Sequence, residues 1–299
     1  MWGRQGDRRD APPVHKSGNR SPTRCDDLPV HPADDFVAKN RDLWDKRVRA
    51  HLQEGLYPSA AVEAGTYTVG LPDRIDVGEV EGRRLLHLQC NAGADTLYWA
   101  ARGASVVGVD FSSEAIAEAR RLAAVTGSKA EFVCSDICAL RERSIGAFDI
   151  IYTSMGVLWW LPDVEAWAEI IADHLAPGGF FYIHEIHPAA MMYEDNEGKL
   201  FVAHDYFGTG EPLVFETTGT YYDAPDFAAE AATECGWVHT LGEVVTALST
   251  AGLRIGYLRE HSTTGFRMLP SLERDGDGRW TTTTGRPRVP LTFSLRASR

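Results

Sequence analysis

In the stretch "LLHLQCNAGADTLYWAARGASVVGVDFS", Leu85 to Ser112, an apolar run enters a tight turn and a second apolar run ends on an acid, Asp110. Asp110 follows Gly93 by 17 residues. An acid at the end of the second strand of such a unit can accept hydrogen bonds from both hydroxyls of a ribose. Phosphates make a different demand: close backbone approach, which glycines at a helix N-terminus provide. Gln89 and Asn91 stand where such turns usually carry glycine, and only Gly93 remains. That pattern disfavours a pyrophosphate. It tolerates a cofactor with ribose and adenine alone, of which S-adenosylmethionine is an example. A second group of side chains can move protons or hold an acceptor: His184, Glu185, His187 and His239 as acids or bases, and Trp159, Trp160, Tyr222 and Trp237 as walls able to stabilise a cation.

These residues need a frame. "GRRLLHLQC", "SVVGVD", "AEFVCSDI", "FDIIYTS" and "FFYIHEI" read as five buried strands. The segments between them include the amphipathic helices "SSEAIAEARRLAAVTG" and "VEAWAEIIADHL", and "DTLYWAARGA", which Asp95 is placed to cap. Alternating strands and helices specify a parallel sheet covered on both faces. After the helix "LGEVVTALSTAG", the strands "LRIGYLREH" and "VPLTFSLRAS" follow without a predicted helix between them, which predicts a terminal antiparallel pair. The fold class is therefore α/β: a Rossmann-like, mainly parallel seven-stranded sheet with an antiparallel C-terminal strand.

Residues 1–34 are rich in Pro, Gly, Arg and Asp and predict a disordered tail. Residues 35–299 form the domain. Within it, 35–75 make an N-terminal helical cover, since Phe36, Leu43, Trp44, Val48 and Leu52 recur at helical spacing. Residues 188–237 are too long for a bare loop and predict an inserted lid over the ligand rim.

Composition narrows the function classes. Apolar residues make up 44% of the chain, enough for a large core. The formal net charge of -12 argues against nucleic acid as the main partner. No apolar run reaches the roughly 20 residues of a membrane span. The five cysteines, Cys25, Cys90, Cys134, Cys138 and Cys235, suggest neither a disulfide framework nor a metal site and read as small core residues in a cytoplasmic protein.

The ordered set "NRDLWDKRV", "LHLQC" with "GVDFS", "FDIIYTSMGVLWWLPD", "LAPGGFFYIHEIHP", "GWVHTLGEVVTALSTAGLRIGYLREH" and "PLTFSLRA" resembles the class I S-adenosylmethionine-dependent methyltransferases. The likeness is to a bacterial small-molecule branch in which histidine and glutamine replace the usual acid and glycine of the first motif. The resemblance implies that the turn from His87 through Gln89 to Gly93 wraps the methionine part of S-adenosylmethionine. It implies that Asp110 holds the ribose, Phe111 lies along the adenine, and Asp136 and Ile137 meet the adenine edge. Ser154 and Met155 would border the methionine chain, and Tyr57 would reach the cofactor carboxylate from the cover. His87 departs from the acid found at that position in the family.

Methyl transfer from a sulfonium asks the protein mainly to align the acceptor and exclude water. A base helps when the acceptor begins as an alcohol, phenol or protonated amine. His187, at the carboxyl end of the fifth strand, and His239, before the next helix, are the candidate bases. Trp159, Trp160, Tyr222 and Trp237 are the candidate acceptor walls. The acceptor is expected to be a small organic molecule. Two rival readings are a nicotinamide-dependent oxidoreductase and a non-catalytic S-adenosylmethionine-binding protein.

Overall fold

The computed structural model describes residues 32–143, 145–196, 199–220, 222 and 228–299. Helix α1 (Pro32–Gln53) opens the described chain, and α2 (Ser59–Glu63) and α3 (Leu71–Val77) complete the cover. All of the predicted tail before Pro32 lies outside the described residues. The core then alternates: β1 (Arg84–Leu88), α4 (Ala94–Ala100), β2 (Ser105–Asp110), α5 (Ser113–Thr126), β3 (Glu131–Cys134), β4 (Phe148–Thr153), α6 (Val164–His174) and β5 (Leu175–Ile186). Four short strands follow, β6 (Tyr193–Asn196), β7 (Lys199–Val202), β8 (Leu213–Thr217) and β9 (Ala232–Gly236). Helix α7 (Leu241–Thr250) and β10 (Arg254–His261) return to the core. The chain ends with β11 (Thr263–Thr264), β12 (Glu273–Arg274), β13 (Trp280–Thr281) and β14 (Thr292–Ser298).

The main sheet has seven strands in the order β10-β14-β5-β4-β1-β2-β3. β14 runs antiparallel to both β10 and β5, and the pairs β5-β4, β4-β1, β1-β2 and β2-β3 are parallel. The mainly parallel sheet with an antiparallel C-terminal strand is as the sequence predicts. Strand order reverses between β4 and β1, so their carboxyl ends diverge and leave a crevice.

Strand alternation divides the core in two. Leu86, Leu88, Ile151, Phe181 and Ile183 pack against Trp167, Ile170, Ile171, Val244 and Leu248 of α6 and α7. Leu85, Ile150, Tyr152, Phe180 and Tyr182 face Val77, Tyr98 and Trp99 of α3 and α4. Complete burial of side chains such as Leu85, Phe181 and Ile183 contributes about 1.5–3 kcal/mol each. A polar seam runs through the second layer: Asp73 accepts from Tyr182 at 3.0 Å and Tyr152 at 3.4 Å, and lies 3.3 Å from His184.

Two local readings need correction. Asp95 does not cap α4: Gly93 is the N-cap in the left-handed conformation, and Asp95 instead accepts hydrogen bonds from Tyr67 and Tyr152. "PGG" does not precede β5 but lies inside it, and Gly178 takes φ 79° where the register with β4 shifts. Gly93 has a steric reason for being glycine. A Cβ there would stand 2.7 Å from Ala119 Cβ and 2.9 Å from Phe132, at φ +78°. Gly93→Ala is expected to lower stability by about 2–4 kcal/mol, from left-handed strain plus overpacking. Urea unfolding measures this, and a loss well under 1 kcal/mol would contradict the packing described.

Candidate active site

The β1 turn crosses the crevice with two non-glycine residues at positive φ, Gln89 at 55° and Asn91 at 48°. Such conformations persist only where surroundings over-determine them. Asn91 is held at three points. Its N–H donates to Asp110 Oδ2 at 2.9 Å, and its Oδ1 accepts from Ala92 N–H at 2.7 Å and Tyr57 Oη at 2.8 Å. Gln89 Nε2 donates to the Val157 carbonyl at 3.1 Å. Cys90 N–H is bound to Val109 O and Gly93 N–H to Cys90 O. Every amide from Cys90 to Gly93 therefore has a partner inside the protein. Those four amides are not free to meet a pyrophosphate.

Asp110 is almost fully buried and joins three elements. One oxygen takes Asn91 N–H and the other takes Ser112 N–H at 2.9 Å, at the start of α5. Burial pushes its pKa up to about 6, against the opposing pull of those two N–H groups. Each carboxylate oxygen has capacity for a further donor. Beside it on the cavity wall lie Phe111, Asp136 and the buried Ile137. Asp136 Oδ1 accepts from Cys138 N–H at 2.7 Å. An acid, an aromatic face, an apolar side chain and a second acid suit a nucleoside, and the occupied amides of the turn suit one without phosphates.

The opposite rim is the loop after β4, with Ser154, Met155, Trp159 and Trp160. Glu185 on β5 holds this loop. Its Oε1 accepts from Gly156 N–H at 2.7 Å and Ile186 N–H at 2.5 Å. Its Oε2 accepts from Val157 N–H at 2.7 Å and Leu158 N–H at 3.1 Å. The carboxyl is 2% exposed, and burial raises its pKa despite these four donors.

The predicted residues fall into two groups. Gln89, Asp110, Phe111, Asp136, Ile137, Ser154, Met155, Trp159, Trp160, Tyr222, Trp237 and His239 all line one cavity. Tyr57, His87, Gly93 and His187 are not on its wall. Tyr57 reaches the site through Asn91, whose Oδ1 it bonds, and through its edge-to-face contact with Tyr222 at 6.2 Å. His87 lies under the turn, with Nδ1 2.8 Å from Thr96 Oγ1 and Nε2 3.2 Å from Ser154 Oγ. Complete burial pushes its pKa down to about 3, so the neutral ring supplies no counter-charge to a ligand. His187 turns out of the cavity: Nδ1 accepts from Ala189 N–H at 3.0 Å and Nε2 faces Glu260 at 2.9 Å. Alternation along β5 does not reach it, because Pro188 begins a short 3-10 turn that His187 caps. His239 Nε2 donates to the Leu161 carbonyl at 2.7 Å, which leaves Nδ1 as the lone-pair nitrogen.

The cavity measures about 2730 Å³. That exceeds the ~300–1,000 Å³ of a site for one small ligand, so it has room for two side by side. It also has a wall that the sequence does not announce. Phe266, Arg267, Arg274 and Trp280 come from the segment between β10 and β14, where β11, β13 and β12 form a small sheet. Beside that sheet, Leu269, Leu272 and Leu291 pack with Ala190 of the segment after β5. Cys134 and Cys138, expected in the core, are exposed on the cavity wall.

Residues 85–179 match the family model of a methyltransferase domain. Over 98 residues the chain is 32% identical to a ubiquinone biosynthesis O-methyltransferase of Idiomarina loihiensis, covering 33% of this chain and 40% of the relative. A protein of the same name from Bordetella avium is 30% identical over 105 residues, covering 35% and 43%. The chain thus spans less than half the length of these curated relatives. An S-adenosylmethionine-dependent methyltransferase from Mesorhizobium loti shares the fold, with a TM-score of 0.51 at 22% identity over 76% of this chain and 95% of that one.

Glu185→Gln tests how the rim is held. An amide has one accepting oxygen with two lone pairs, so two of the four N–H groups lose their partner. We expect a loss of about 2–4 kcal/mol in urea unfolding, the order for one or two buried groups left unmatched. Unchanged stability would show that the loop holds itself.

Proposed function

We propose, from the methyltransferase domain that residues 85–179 constitute, that this chain is an S-adenosylmethionine-dependent methyltransferase acting on a small organic molecule. The observation that carries the reading is Asp110, with acceptor capacity at the cavity wall beside a turn whose amides are all occupied. Asp110 takes the ribose hydroxyls, Phe111 and Ile137 lie along the adenine, and Asp136 takes its amine. Gln89, Ser154 and Met155 border the methionine chain. When bound, the cofactor supplies a methyl group on a sulfonium, an electrophile with a good leaving group.

The remaining work falls to the chain's own residues. Trp159, Trp160, Tyr222 and Trp237 align the acceptor and exclude water. His239 receives the acceptor's proton at Nδ1, since Nε2–H is committed to Leu161. The carbonyl of Leu161 thereby fixes both the tautomer and the orientation of the ring. His187 has no place in this scheme, because both of its nitrogens are engaged outside the cavity.

Asp110 sets a pH dependence with a definite sign. Its pKa of about 6 lies above the ordinary value of 3.8, so in the free protein its contribution to stability falls as pH rises between these values. Cofactor binding runs the other way. The ionised carboxylate accepts both hydroxyls, whereas the protonated one turns one oxygen into a donor. Calorimetric affinity for S-adenosylhomocysteine is expected to fall about tenfold from pH 7 to pH 5, as the ionised fraction drops to roughly a tenth. Asp110→Asn should bind more weakly at pH 7 and show no such limb; an identical limb in that variant would remove Asp110 from the ribose. His239→Ala should keep its S-adenosylhomocysteine affinity while turnover falls about a hundredfold. Wild-type turnover in this variant would leave alignment alone as the catalytic device.

A further inference from the structure

Arg47 of α1 is 6% exposed, yet it lines the cavity. Its Nη2 donates to Glu234 Oε2 at 3.1 Å, and Glu234 Oε1 takes Trp159 Nε1–H at 3.0 Å. Among the described residues the guanidinium makes no other hydrogen bond, and its Nε is sealed from water without a partner. Its carbon lies 5.2 Å from the ring centroid of Trp44 and 5.9 Å from that of Trp160. Those two indoles meet edge to face at 5.3 Å.

A guanidinium carries five N–H donors in a fixed plane. Here one serves Glu234 while the group sits largely out of water. Leaving the others idle in such a place is unfavourable unless a further acceptor joins them. Glu234 meets the guanidinium through Nη2 alone and leaves Nε without a partner. A planar oxyanion is the natural complement of the fork, and a flat ring attached to it can lie against the neighbouring indoles.

Building on the methyltransferase reading, we propose that Arg47 selects the methyl acceptor: it binds the carboxylate of a flat, aromatic acid whose ring packs against Trp44, Trp159 and Trp160. Arg47 belongs to the acceptor side of the cavity and not to the set around Asp110, so acceptor choice and cofactor affinity separate.

The test uses the full chain saturated with S-adenosylhomocysteine and titrated with benzoate and with its neutral counterpart benzamide, followed by indole fluorescence and by calorimetry. Benzoate should bind at least tenfold more tightly than benzamide. Arg47→Met should abolish that preference while S-adenosylhomocysteine affinity stays within about threefold. Arg47→Lys keeps the charge that ties α1 to β9 but loses the fork, and should lose most of the preference. Equal binding of the two probes to the wild type, binding of neither, or a preference that survives in Arg47→Met overturns the proposal. If neither variant folds, the wild-type comparison still decides it. Failure of the wild type to bind S-adenosylhomocysteine at all would instead overturn the methyltransferase reading.

Discussion

The site depends on the bonds by which Asp110 collects two backbone amides, one from the β1 turn and one from the start of α5. They let a turn poor in glycine hold two residues at positive φ. The amides from Cys90 to Gly93 are all occupied, while the carboxylate keeps acceptor capacity toward the cavity. Tyr57, bound to Asn91, ties the helical cover to this turn. The segment after α1, the turn and Asp110 thus form one unit.

Across the crevice, Glu185 applies the same device on a larger scale. It gathers three amides of the loop after β4, together with that of Ile186, around a buried carboxylate. The order reversal between β4 and β1 separates the two rims, and one buried acid fixes each. Rims held by buried hydrogen bonds suit the preorganisation that alignment-based methyl transfer requires. The segment after β5 and the β11-β13-β12 region meet through a separate apolar cluster of Ala190, Leu269, Leu272 and Leu291.

Most of this frame was legible in the chain. Strand periodicity and the helix-free run from β10 to β14 sufficed for the sheet and its antiparallel end, and the acid at position 110 does stand on the cavity wall. Three features were not legible, for physical reasons. β11, β12 and β13 are two residues each, too short for any period, so a real wall of the cavity reads as loop. His187 was misplaced because alternation holds only within a ladder, and Pro188 ends it one residue later. Arg47 was hidden among the charges of α1, although it stands three residues from Trp44 and shares its face. Its partner Glu234 lies 187 residues away, a pairing that no local pattern carries.

The central claim is that the crevice takes an adenosine-type cofactor without a pyrophosphate. Calorimetric titration of one preparation with S-adenosylhomocysteine and with NADH addresses it directly. The account predicts saturable one-to-one binding of S-adenosylhomocysteine and no measurable heat of binding with NADH. Tight binding of NADH, with S-adenosylhomocysteine inert, would contradict it.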